Sequence, residues 1–237
     1  MQLFSFSNNT VKYARLTGIL YLLIFFFGFF SEGFVRGTLV NFDDAAQTAN
    51  NILENLFLFR AGFTGDLLMV ICDVAVAVAF YILLKPVSKG LAIAAAFFRL
   101  TQAAVIALNM IHQFQAILWV ERLDKPIGLE PITIYEMVNM AMESQMYGYL
   151  ISGVFFGVSC IILGYLFTKS NLFPTWLGYL LGLGGISYLI DCFTNFMFPS
   201  WADTTEILVL VTAVIAELAV SIWLLAFVGK RTYSAKA

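Results

Sequence analysis

The chain has 237 residues, 61% of them hydrophobic and 12% charged, with a mean hydropathy of +0.87 and a formal net charge of -2. Charged residues at about half the roughly 25% usual in globular domains, beside 24 phenylalanines, exclude a disordered, fibrous or nucleic-acid-binding protein. The composition is that of helices in a bilayer, whose hydrocarbon core of about 30 Å takes about 20 apolar residues per crossing.

In chain order, six segments are long and apolar enough to cross: Leu16–Val35, Ala61–Leu84, Gly90–Val120, Met146–Phe167, Trp176–Phe198 and Ile207–Val228. They predict an all-α fold, a polytopic six-helix transmembrane bundle forming a single transmembrane domain over residues 1–237. The first segment follows Lys12 and Arg15. Its apolar stretch exceeds the roughly 7 to 15 residues of a signal peptide, so it is expected to stay as a first helix. In the loop that follows, Asn41 to Asp44 offers N-caps, and Ala49, Ile52, Leu53 and Leu56 share one helical stripe. That pattern predicts a short amphipathic helix on the outer membrane surface. A similar helix is expected after Pro131. The links Lys85–Lys89 and Lys169–Pro174 are short, which makes spans two and three, and spans four and five, antiparallel neighbours.

Alternate loops differ in charge. The N-terminus (Lys12, Arg15), the second loop (Lys85, Lys89), the fourth (Lys169) and the C-terminus (Lys230, Arg231, Lys236) carry eight basic residues and no acid. The opposite side carries four basic residues, Arg36, Arg60, Arg122 and Lys125, and eleven acids, Asp124 among them. Because cytoplasmic loops retain the excess of Lys and Arg, both termini of this multi-pass chain are expected in the cytoplasm.

Gly153, Gly157, Cys160 and Gly164 share one face of span four, and Gly178 and Gly182 repeat the device in span five. Small-residue stripes let transmembrane helices approach closely, either inside one chain or in a homo-oligomer. Trp119, Trp176 and Trp201 stand at span ends, where amphipathic rings anchor at headgroup level.

Polar residues within the spans are the candidate binding network: Asp66, Asp73, Arg99, Gln102, Asn109, His112, Asp191 and Glu217. Asp66 and Asp73 lie seven residues apart and so face within about 20° of one another. On span three Arg99, Gln102, Asn109, His112 and Gln113 occupy one polar arc of about 140°. Each isolated charge at the bilayer centre costs roughly 2.5 to 3.5 kcal/mol, so these groups must pair, protonate or meet water. One Arg99 cannot neutralise Asp66, Asp73, Asp191 and Glu217. Placed by rise along each span, Asp73, Arg99 and Glu217 fall near the midplane, while Asp66, Asn109, His112 and Asp191 fall in the outer third. This predicts a polar vestibule open to the outer side, with an Asp73/Arg99/Glu217 floor and Glu32 and Arg60 at its rim. Cys72, Cys160 and Cys192 lack metal-ligand spacing, and His112 is the sole histidine, so neither a metal nor a cofactor is expected.

Several motifs together resemble a known family. They are Leu58-Phe59-Arg60-Ala61-Gly62 continuing to Asp66 and Asp73, Leu84-Lys85-Pro86-Val87-Ser88, Phe98-Arg99-Leu100 with Gln102, and Tyr147-Gly148-Tyr149-Leu150. Leu163-Gly164-Tyr165-Leu166, Pro174 with Leu177-Gly178, and Tyr188-Leu189 with Asp191 complete the set. From about Ala14 to Val228 the chain resembles the bacterial multi-spanning membrane family known as domain of unknown function number four thousand three hundred and eighty-six. The resemblance implies an integral membrane protein of no established activity. It puts Arg60, Asp66, Asp73, Arg99, Gln102 and Asp191 at motif positions, with Ser159 where the family often has a histidine.

Three function classes are compatible with these residues. A small-solute binder or transporter stands first, with Arg99 as fixed positive charge and Asp66, Asp73 and Glu217 as protonatable acceptors. A non-catalytic accessory or sensory subunit needing a partner membrane protein stands second. An intramembrane enzyme stands third, since the chain has neither G-x-S-x-G nor H-E-x-x-H. The expected partners are the lipid bilayer and a small-molecule ligand.

Overall fold

The structure, a computed structural model, describes residues 8–123, 125 and 128–228; the charges of Asp124, Lys230, Arg231 and Lys236 counted above lie outside them. Among the described residues every regular element is a helix. Six helices among the described residues are long and apolar enough to cross a membrane: α1 (Thr10–Leu39), α3 (Leu56–Leu84), α4 (Lys89–Val120), α5 (Pro131–Lys169), α6 (Thr175–Met197) and α7 (Pro199–Phe227). The short α2 (Ala45–Glu54) stands between the first two.

Asp44 caps α2, its side chain accepting from the Gln47 backbone N–H at 2.8 Å. Such a cap satisfies one of the four N–H groups that a helix start leaves free. The predicted stripe becomes its buried face, with Ala49 and Ile52 fully buried. The helix expected separately after Pro131 is instead the first part of α5, which runs unbroken for 39 residues. No glycine or proline interrupts Ile132–Tyr147, so nothing in the chain stops the helix there. Two helices are not uniform. Residues Phe29–Arg36 of α1, and Leu210–Val214 and Trp223–Phe227 of α7, are wound as π-helix.

The chain divides into two compact units. The first comprises Met1–Leu22, Cys72–Ala103 and Ser152–Ala237. Its core contains a run of aromatic contacts: Tyr21 edge-on to Phe80 at 6.0 Å, Phe80 against Phe167 at 5.7 Å, and Phe167 stacked on Phe173 at 3.7 Å. The second unit comprises Leu23–Ile71 and Ala104–Ile151. Its core joins Val35 and Leu39, Ala49 and Ile52 of α2, Phe59, Ile117, Val138 and Met142. Side chains of α1, α2, α4 and α5 thus share one core with Phe59 of α3, which is fully buried.

Within the first unit α5 and α6 touch backbone to backbone. A Cβ built on Gly164 would lie 2.6 Å from the Gly178 carbonyl, and one on Gly157 would lie 2.8 Å from the Gly185 carbonyl. One on Gly153 would meet Cys192 Sγ at 2.8 Å. These glycines therefore pack helices inside the chain. Gly182, placed in the same stripe, differs: a Cβ there would meet nothing within 4 Å.

Candidate functional site

The polar residues read as one network separate into distinct clusters, each built inside one unit. In the second unit the central residue is Arg36, which by sequence alone belongs with the loop charges. It lies inside α1 and is 4% exposed. Its Nε–H donates to Glu32 Oε2 at 2.9 Å, its Nη2 to the same oxygen at 2.5 Å, and its Nη1 to Asp66 Oδ2 at 2.5 Å. With the Gln113 amide oriented to suit both neighbours, Gln113 accepts from Arg36 Nη1 at 2.8 Å and donates to Asp66 Oδ2 at 3.2 Å. Ser31 Oγ–H donates to the Gly62 carbonyl at 2.8 Å, tying the same part of α1 to α3. The i,i+4 spacing of Glu32 and Arg36 was the signal that could have found this cluster.

Glu32 and Arg60, expected at one rim, take different partners: Glu32 pairs with Arg36, and Arg60 with Glu121. The reason is reach along a helix, since Arg36 lies one turn from Glu32 on α1 and needs no loop to meet it. Asn109 is buried and donates from Nδ2 to the Gln145 carbonyl at 2.7 Å, bracing α4 against α5. His112 is half-buried, its Nδ1 3.1 Å from Gln115 Oε1 on its own helix. Neither joins the Arg36 cluster.

In the first unit Asp73 and Arg99 form a buried ion pair, Arg99 Nε–H donating to Asp73 Oδ1 at 2.8 Å. Arg99 is 1% exposed, and its guanidinium lies between two rings, Tyr21 and Phe156, each with its centroid 4.9 Å from Cζ. Arg99 Nη2 lies 2.5 Å from Asp73 Oδ1 without hydrogen-bond alignment, and Nη1 makes no hydrogen bond. Gln102, one turn along α4, likewise leaves its buried Oε1 without a donor. Glu217, expected in one cluster with Asp73 and Arg99, is held by two phenols, and one of them, Tyr21, also faces Arg99: Tyr21 Oη–H donates to Oε2 at 2.9 Å and Tyr188 Oη–H to Oε1 at 3.0 Å. Tyrosines inside apolar segments give no periodic signal, so Tyr21 was not legible as a site residue. Asp191 forms a separate cluster, accepting from Asn195 Nδ2 at 3.1 Å and from Thr205 Oγ1 at 2.7 Å. Ser159 Oγ–H donates to the Ala95 carbonyl at 2.9 Å, a helix-to-helix tie rather than a reactive hydroxyl.

The two arginines contrast in satisfaction. Arg36 spends its donors on two carboxylates and an amide, whereas the Arg99 guanidinium makes one aligned hydrogen bond to Asp73 and lies between the Tyr21 and Phe156 rings, with Nη1 unfilled. A buried donor without a partner forfeits its hydration, at about 1–3 kcal/mol, so such atoms concentrate where a water or ligand belongs. Among the described residues no group of three or more His, Cys, Asp or Glu could hold a metal ion.

No solved structure matches the chain. An uncharacterised protein of Archaeoglobus fulgidus is 34% identical over 153 residues, covering 62% of this chain and 77% of that protein. Residues 16–227, most of the chain, match the family described as Domain of unknown function (DUF4386), and the chain belongs to this family.

Proposed function

We propose that the protein binds a small polar solute inside the first unit, at Arg99 and Gln102, and carries it with a proton held among Asp73 and Glu217. The observation that carries this reading is the pair of unfilled buried atoms, Arg99 Nη1 and Gln102 Oε1, three residues apart on α4. One is a donor and one an acceptor, so a solute with a carbonyl or carboxylate oxygen beside an N–H or O–H would satisfy both. The cluster holds one guanidinium against two carboxylates, which leaves one negative charge for a proton to neutralise when the solute is bound. The chain is proposed to lie in a bacterial cytoplasmic membrane, or its archaeal counterpart, with both termini in the cytoplasm, a placement that the loop charges support.

The test is the thermal stability of purified protein in detergent for wild type, Arg99→Leu, Asp73→Leu and the double variant, with acetate, acetamide and glycerol as probes. Removing one partner of a buried pair costs about 3–5 kcal/mol, whereas an apolar replacement of both is often neutral. The expected result is a double variant about as stable as wild type that has lost the stabilisation a probe confers. If the double variant collapses as the singles do and no probe acts on wild type, the pair is scaffolding. An accessory role with a partner membrane protein then replaces this reading.

A further inference from the structure

A groove of about 620 Å³ runs along the first unit between α5 and α6, and it is separate from the Arg99 cluster. Its floor is glycine, including Gly164, Gly178 and Gly182, and its walls include Tyr165 and Tyr179, which are 53% and 66% exposed. Ile161 to Lys169 on one helix and Gly178 to Ile186 on the other each advance about 12 Å, so the groove is an elongated slot.

Gly164 and Gly178 each lack room for a Cβ, and the Gly182 backbone lies in the same contact, its N 2.8 Å from a Cβ built on Gly164, while its own Cβ direction is open. A glycine inside a helix costs about 0.5–1 kcal/mol relative to alanine. No side chain fills the open direction at Gly182, so the slot stays clear over the backbone there. One end of the slot carries positive charge from two sources. Lys169 lines it, its Nζ 5.7 Å from the Tyr165 ring centroid, and α6 begins at Thr175, three residues before the lining Gly178. A helix start presents unpaired N–H groups and a partial positive charge, and so favours an anion.

We propose that this groove is a binding site for an anionic phospholipid, one acyl chain lying over Gly182 between the tyrosine walls and the phosphate at Lys169. The shape suits a flexible chain, and the charge sits where a headgroup would emerge. A second copy of the protein fits less well, because a two-fold interface repeats the same surface on both sides. It would set two Lys169 side chains and two helix starts of like sign at one level. The proposal is independent of the solute reading and survives its failure.

The experiment uses full-length protein, stripped of lipid in a neutral detergent and titrated with phosphatidylglycerol or phosphatidylcholine of identical acyl chains. Retained lipid is read by native mass spectrometry, and melting temperature in parallel. Wild type is expected to prefer phosphatidylglycerol by about fivefold, the worth of one lysine near an anionic headgroup. Lys169→Gln should bring that preference near unity while both lipids are still retained. Gly182→Leu, whose side chain enters the slot, should lose both while melting, lipid-free, within a few degrees of wild type. Equal retention of the two lipids by wild type overturns the proposal, as does an unchanged preference in Lys169→Gln, which settles the matter even if Gly182→Leu fails to fold. A dimer that Gly182→Leu splits, with no lipid preference, overturns it in favour of a second copy.

Discussion

Arg36 and Arg99 are both buried arginines on membrane-length helices, yet their surroundings demand different things of them. Arg36 is a fastener: Glu32, Asp66 and Gln113 fill its fork, and Asp66 sits 3% exposed with no other cation within ion-pair distance among the described residues. Arg36→Leu is therefore expected to destabilise the protein by about 3–5 kcal/mol, since it leaves the Asp66 carboxylate buried and unpaired. Arg36→Leu with Asp66→Asn should recover much of that loss, as seen in the denaturation midpoint in mixed micelles. A single variant that unfolds at the wild-type midpoint would show that water already satisfies Asp66. Legibility at this scale was uneven. Asp73 and Arg99 were identified as a midplane pair because both are conspicuous in apolar sequence, and the structure pairs them at 2.8 Å. Arg36 was missed because it stands one residue past the apolar run, where a charge reads as belonging to a loop.

At the scale of the element, the glycines of α5 and α6 divide by what lies opposite. A methyl on Gly164 would fall 2.6 Å from a backbone oxygen that cannot move without moving α6, whereas a methyl on Gly182 has open space. Gly164→Ala is expected to cost about 1–3 kcal/mol through overpacking. Gly182→Ala is expected to be neutral or stabilising by up to about 1 kcal/mol, from helix propensity alone. Parallel melting curves of the two variants decide it, and equal losses would mean that helix geometry rather than contact governs both sites. The stripe itself was legible, because small residues at helical spacing announce a close approach. Which member faced the neighbour was not, because that depends on the crossing geometry of two helices. The π-wound Phe29–Arg36 is a similar case: widening a turn moves every later side chain around the axis, and no residue type in that stretch forces it.

For the whole molecule, the charge asymmetry of the loops makes a direct prediction. With Cys72, Cys160 and Cys192 all buried, background labelling by a membrane-impermeant maleimide should be low. In intact cells Asp43→Cys and Glu130→Cys are expected to react, and Ser88→Cys only after lysis. The reverse pattern would invert the proposed orientation while leaving the fold untouched.

The number of crossings, their approximate positions and the all-helical class were set by the sequence itself, because a bilayer imposes a length and a polarity that can be read one segment at a time. The amphipathic α2 and its Asp44 cap were equally local, since a cap acts across three residues. Tertiary structure alone decided that Glu217 rests on Tyr21 and Tyr188, and that Arg36 also reaches Asp66 and Gln113. Partner choice among buried charges depends on helix rotation and on groups as many as 196 residues away in the chain. Those are set by the packing of the folded helices, and neither hydropathy nor spacing along one helix encodes them.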